Sequence, residues 1–284
     1  MLSRRELVGG LAAVAAVRRR GARRSPSPPS PPPPPPNEPN LARILRTKRL
    51  RVAGLTGEEP YSYKDPASGS WAGIYITMAQ NLGTDLGIEI TVVESNWADQ
   101  AADVHAGKVD LSYLSPTTQR AMSVDFANPL FYDTYAIVAR KGWAKNSWAE
   151  INAPETVIAV DSGSAREEAS RRFAGNAAIT GFKTPDEALA AVRSGREDCL
   201  VTTVLHALTA LKKDPQLGQL IVPSPHLRAA ICPAIPYDSD RRFRGVVDAW
   251  TESNRGFGRI REWVLADLAK SGIEPGDLPP EISF

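Results

Sequence analysis

The sequence predicts an α/β fold built on one plan used twice. Apolar segments of strand length alternate with segments of helical periodicity, a pattern that implies mainly parallel sheets flanked by helices. The segment Gly107-Lys108-Val109-Asp110-Leu111 is echoed by Gly195-Arg196-Glu197-Asp198-Cys199, and the helical stretches before them, Ala101–Ala106 and Ala190–Ser194, echo each other as well. Hydroxyl-rich turns follow strands in both halves, where open α/β sheets hold their ligands.

Taken in order, Leu50–Ala53 reads as a strand and Gly73–Leu86 as an amphipathic helix closed by Gly87. Ile88–Val93 is the next strand, Ala98–Ala106 a helix ending at Gly107, and Val109–Tyr113 a third strand, which completes a βαβαβ unit. Tyr135–Ala139 is a strand leaving the first lobe. The second lobe begins with strand Thr156–Val160, followed by a turn, Asp161-Ser162-Gly163-Ser164, in which Asp161 is an ordinary turn residue. Helix Ala165–Phe173, strand Ile179–Phe182, helix Pro185–Ser194 and the strand from Gly195 to Val201 follow, with Thr202-Thr203 just beyond. Ala229–Ile235 and helices near Asp240–Asn254 and Gly258–Lys270 return to the first lobe. The lobes are expected at 41–134 and 135–228, with 229–284 completing the first, and with a cleft between them.

The chain ends differ from this pattern. Residues 1–24 carry seven arginines against one glutamate, with the pair Arg4-Arg5, an apolar run Leu7–Val17 and the small-residue triplet Ala13-Val14-Ala15, and they read as an export signal resembling the twin-arginine type. Residues 25–40 hold ten prolines; such a run makes neither helix nor sheet ladder and reads as an extended linker outside the fold. Without residues 1–24 the formal charge of +2 becomes −4, which argues against a nucleic-acid partner. No apolar run approaches the roughly 20 residues that span a bilayer. Cys199, Cys232 and the histidines at 105, 206 and 226 show no ligand spacing, so neither metal nor cofactor is expected.

The most informative stretch runs from Gly107 to Tyr132. The turn Ser115-Pro116-Thr117-Thr118 caps a short helix with Arg120 in its first turn. From these residues alone, two readings stand: a capped surface helix with a solvated arginine, or a clamp in which hydroxyls and a guanidinium hold a small anion.

The stretch resembles the signature of the extracellular solute-binding proteins of family 3, the periplasmic receptors of polar amino-acid ABC transporters. The resemblance is carried by Gly107-Lys108-Val109-Asp110, by Ser115-Pro116-Thr117-Thr118-Gln119-Arg120 and by Asp125-Phe126-Ala127-Asn128-Pro129, with Tyr132 displaced two places from the usual aromatic. It extends in weaker form from Leu41 to Trp263. It implies a two-lobed periplasmic-binding-protein fold, a monomer in the periplasm, a small-molecule ligand in the cleft and an ABC permease as partner. Arg120 then holds the ligand carboxylate with Ser115, Ser164 approaches from the second lobe, Trp97 stacks on the ligand, and Tyr61 and Tyr113 are further lining candidates. The resemblance also places Cys199 and Cys232 in different lobes, against a disulfide.

Two departures stand out. Thr203 occupies the place where many members carry an aspartate for the ligand ammonium, and Leu55 and Glu58 stand where many carry an aspartate and an aromatic, so that Glu58 or Glu59 is the candidate to take over the ammonium contact. The expected function is a non-catalytic receptor that closes on an amino acid or a related carboxylate. The alternatives are an enzyme resembling cyclohexadienyl dehydratases, with Glu58 as its acid, and a partner protein whose cleft no longer takes a transport substrate.

Overall fold

The computed structural model describes residues 38–280 and Ile282. The export segment at 1–24 and most of the linker at 25–40 lie outside the described residues. The linker's last residues already belong to the fold. Helix α1 (Asn40–Thr47) buries Leu41 and Ile44 on one face and ends on left-handed Lys48, and the Asn40 amide donates to Asp238 at 2.7 Å.

Strand β1 (Arg49–Leu55) leads through a loop to the hairpin β2 (Tyr63–Lys64) and β3 (Trp71–Ala72). Helix α2 (Ile74–Leu86) starts at Gly73, whose φ is 106°. A Cβ there would lie 2.7 Å from the carbonyl oxygens of Pro60 and Tyr61, so only glycine lets the 56–62 loop bond to the start of α2. The amides of Ile74 and Tyr75 donate to those carbonyls at 3.0 and 2.8 Å, which fixes the loop carrying Glu58 and Tyr61. Strand β4 (Glu89–Ser95) pairs in parallel with β1, and helix α3 (Gln100–His105) follows.

The third strand begins later than expected. Leu111 makes one parallel bridge to Val52, and the ladder proper is β5 (Ser112–Leu114). Asp110 explains the delay: its buried carboxylate takes Arg43 and Arg51, each at 2.6 Å, as well as the Arg51 amide. Helix α4 (Thr118–Ala121) is a single turn capped by Thr117, and β6 (Val124–Phe126) leads to the long β7 (Phe131–Ala139).

Beyond β7 lie α5 (Trp148–Ile151), β8 (Val157–Asp161), α6 (Ala165–Phe173), β9 (Ala178–Phe182), α7 (Pro185–Arg193) and β10 (Cys199–Thr203). Next come α8 (Val204–Lys213), β11 (Gln219–Ile221) and the long β12 (Arg228–Pro236), followed by α9 (Arg242–Gly256) and α10 (Arg259–Lys270). Asp161 therefore ends a strand rather than sitting in a turn, and Thr202 and Thr203 lie inside β10 rather than beyond it.

Two strands run through both halves of the molecule. The start of β7 pairs with β12, Arg228 opposite Thr134, and its remainder pairs with β10, Thr203 opposite Tyr135. The far end of β12 pairs with β5 and β6. Strands β10, β8 and β9 are parallel neighbours, with apolar side chains buried on both faces: Ile158 and Val160 on one, Ala159 and Leu200 on the other. The other main core joins α1, α2 and β1 to α9 and α10 through residues such as Ile44, Leu50, Met78, Phe243 and Val264. This is a two-lobed α/β fold. Cys199 and Cys232 are both buried free thiols.

Candidate functional site

Between the halves lies a narrow, nearly filled cavity. Its walls include Tyr61, Trp97, Ser115, Arg120, Ser164 and Thr203, which brings together six of the eight residues singled out from the sequence. The other two lie behind the wall. Glu58 is fully buried, and Tyr113 is packed behind Tyr75, its ring 5.0 Å from that of Tyr75. Tyr75, Tyr135 and Arg166, none of them singled out from the sequence, also line it.

Arg120 is held by local chemistry. Thr117 Oγ1 accepts from the Arg120 amide at 3.2 Å and sets the single turn of α4. The guanidinium then reaches across the cleft: Nη1 donates to the Ser115 carbonyl at 3.0 Å and Nη2 to the Gly163 carbonyl at 3.1 Å. Ser115 thus meets Arg120 with its backbone carbonyl. Among the described residues no carboxylate pairs with Arg120, which is only 8% exposed. Burial, then the positive charge of Arg166, pulls its pKa below the ordinary value.

Arg166 is the opposite case. Ser164 caps α6 by accepting from the Glu167 amide at 3.2 Å, and Arg166 sits in the first turn behind it. Its guanidinium bonds Glu58 Oε1 at 2.7 Å and the carboxylate of Asp161, and lies 4.5 Å from the centre of the Trp97 ring. Trp97 Nε1 donates to the other oxygen of Glu58 at 2.6 Å. Burial opposes the charge on Arg166, but Glu58 and Asp161 together outweigh it and raise its pKa. Burial raises Glu58 and Asp161 as well. Glu58 is therefore committed to Arg166 and Trp97. That arrangement corrects the expectation that it is a free acid or an ammonium partner in the cavity.

The remaining wall is a hydroxyl network. Tyr61 hydroxyl bonds both the carboxyl of Asp133 and Thr203 Oγ1, the latter at 2.6 Å, and its ring stacks on Tyr75 at 5.1 Å. The Thr134 amide donates to Asp133 Oδ1 at 2.7 Å. Burial raises the pKa of Asp133, against the hydrogen bonds that favour its charged form. One residue before Thr203, Thr202 Oγ1 meets His206 Nδ1 at 2.7 Å, and burial pushes that buried imidazole down to about 4.

The residues missed from sequence carried readable signals. A basic residue in the first turn of a helix opposes the macrodipole, so Arg166 needed a reason to be there. An aspartate inside the apolar run Phe131–Ala139 needed one too, and Asp133 is that residue.

The fold and this interlobe cavity define the molecule as a two-lobed binding protein. The sequence model of the bacterial extracellular solute-binding proteins, family 3, matches residues 50–222, and the chain belongs to that family. The cyclohexadienyl dehydratase of Pseudomonas aeruginosa is 25% identical over 224 residues, covering 78% of this chain and 82% of its own. The arginine-binding extracellular protein ArtP of Bacillus subtilis is 24% identical over 183 residues, covering 62% of this chain and 69% of its own. The crystal structure of the ancestral amino acid-binding protein AncCDT-1, described as a precursor of cyclohexadienyl dehydratase, superposes with a TM-score of 0.71 at 26% identity. It covers 78% of this chain and 96% of its own. The dehydratase likeness overturns the expectation that the chain is not an enzyme: its relatives include one named as a catalyst and an ancestor of that line.

Proposed function

We propose that this protein is a solute receptor that closes its lobes on a small carboxylate, with an amino acid as the foremost class, and presents it to an ABC permease in the periplasm. The observation that carries the reading is Arg120. It is a buried guanidinium on a cavity wall, bonded among the described residues only to carbonyls and repelled by Arg166, and a ligand carboxylate would supply its missing counter-charge. Amino-acid ligands follow from the family and from the arginine-binding relative. The second reading, conversion of a cyclohexadienyl acid in the same cavity, is favoured by the dehydratase relative.

In this reading the first lobe comprises residues 41–134 and 229–284 and the second 135–228. Support comes from the change of partner along β7, from β12 at Thr134 to β10 at Tyr135. Ser115 and Ser164 line the carboxylate end, and Trp97 forms a flat apolar wall. Closure is a hinge motion that the ligand biases by touching both lobes.

The test is thermal unfolding against amino acids, small carboxylates and cyclohexadienyl acids, with product analysis for the last. A ligand at a hundred times its dissociation constant stabilises the fold by about 2.7 kcal/mol. A carboxylate should shift the wild type and fail to shift Arg120→Met. An equal shift in that variant removes Arg120 from the site, and product formation from a cyclohexadienyl acid establishes the enzymatic reading.

A further inference from the structure

Three buried carboxylates, Glu58, Asp161 and Asp133, stand behind a cavity wall that itself carries two arginines, and they are not equally paired. Glu58 and Asp161 share Arg166. Asp133 has no such partner: among the described residues its carboxyl is held by Tyr61, Thr203 and the amides of Thr134 and Leu205, with no Lys, Arg or His among them. It is fully buried, near the start of β7, one layer behind the cavity wall. The two side chains in front of it, Tyr61 and Thr203, are both wall residues of the cavity that Arg120 lines.

We infer that Asp133, acting through the Tyr61 and Thr203 hydroxyls, is the acidic counterpart that this site offers to a ligand ammonium group. The inference rests on the receptor reading and adds a second pole to it, with Arg120 at the carboxylate end and the Tyr61–Thr203–Asp133 network at the cationic end. The hydrogen-bond inventory permits it. Tyr61 donates its single proton to Asp133, Thr203 also bonds that carboxyl, and between the two hydroxyls either oxygen can be the donor. Each hydroxyl oxygen keeps at least one lone pair for N–H donors in the cavity. An ammonium seated there is one hydroxyl away from a carboxylate in a dry environment, where attraction is little screened. Glu58 does not serve this end, because it is fully buried behind the wall and its carboxylate is ion-paired with Arg166.

Asp133 touches the ligand only through other side chains, so it is a positioning residue. The three elements meet by topology: β7 and β10 are paired neighbours, and Tyr61 arrives from the 56–62 loop that Gly73 holds in place.

The experiment is calorimetric titration of the full chain with paired probes: L-arginine, L-glutamine and L-phenylalanine, each against the acid lacking its α-amino group (5-guanidinopentanoate, 4-carbamoylbutanoate and 3-phenylpropanoate). In the wild type, at least one amino acid should bind about tenfold to a hundredfold more tightly than its deaminated partner, the range expected of a charge-assisted hydrogen bond. Asp133→Asn, and separately Thr203→Val, should bring that ratio close to one. Equal binding of both members of every pair by the wild type overturns the inference without any variant, as does a ratio that survives in a folded Asp133→Asn. Arg120→Met separates the two ideas. If carboxylates bind it as well as the wild type, the receptor reading of Arg120 fails whatever the ratio shows. Absence of binding in both series overturns both.

Discussion

The two guanidiniums of the cleft, Arg166 and Arg120, are alike in burial and unlike in company. Arg166 has two carboxylates and an indole ring around it. Arg120 has two carbonyl oxygens and another cation nearby. Taking a charge out of water is costly unless it is paired. A folded chain therefore tolerates Arg166 as part of its own structure. Arg120 has no carboxylate partner among the described residues, and in the proposed reading a ligand supplies one. What sets Arg120 apart is the counter-charge it lacks.

The largest expected effect breaks the paired side. Arg166→Met leaves Glu58 and Asp161 buried without a cation, and should lower the unfolding free energy by about 3–5 kcal/mol in urea titrations. Adding Glu58→Gln and Asp161→Asn should recover much of that loss. A single variant as stable as the wild type would mean that the ion cluster is solvated, and the contrast with Arg120 would collapse.

His206 reports the same cluster from a distance. Burial comes first and Arg166 second among the causes that depress it to about 4, against an ordinary value of 6.5. The unfolded chain therefore binds this proton first as the pH falls. Stability from the neutral imidazole is full above about 6.5 and is lost progressively toward about 4, at up to about 1.4 kcal/mol per pH unit. Denaturant titrations across that window should show the slope, and it should be weaker in His206→Leu. An unchanged slope in that variant would assign the acid sensitivity to other groups.

How far these features could be read in advance follows from range. Helix α6 matches the expected Ala165–Phe173 because its signals are local: Ser164 before it and a helical pattern through it. Helix α2 closes on Gly87 for the same reason. Helix α8 was not anticipated, since Val204-Leu205-His206-Ala207 continues the apolar run of β10 without a turn residue between them. The site divides in the same way. Arg120, Ser115 and Thr117 are bound within a few residues of one another. Glu58 meets Arg166 across 108 positions, and Tyr61 meets Asp133 across 72. No local pattern encodes such meetings, but an arginine at a helix start and an aspartate in an apolar strand each ask for a distant partner. Glu58 was misread for lack of that partner, and Tyr113 because strand position alone does not show that Tyr75 stands in front of it.

On the unpaired side, the effect on folding should be small. Arg120→Met exchanges a guanidinium repelled by Arg166 for an apolar chain of similar reach, and loses two bonds to carbonyls. Replacing a buried charge by a packed apolar residue is often neutral or stabilising, so the unfolding free energy should stay within about 1 kcal/mol of the wild type. A loss near that of Arg166→Met would show that Arg120 has a structural partner after all.

The finest test concerns the caps that present the two arginines. Ser164 begins α6, and Thr117 begins the single turn of α4. Each hydroxyl accepts from the amide three residues on, at 3.2 Å in both cases. Removing a cap of this kind costs about 1 kcal/mol. In Ser164→Ala that loss should appear as a stability change, because α6 is nine residues long and its cap secures a whole helix. In Thr117→Ala the helix is four residues long, so the loss should fall on the placement of Arg120 and appear in ligand affinity instead. Denaturant midpoints and carboxylate titrations on the two variants separate these outcomes. If Ser164→Ala weakens binding and leaves stability unchanged, its hydroxyl faces the ligand rather than its helix, and the second lobe contributes more to the anion than a cap.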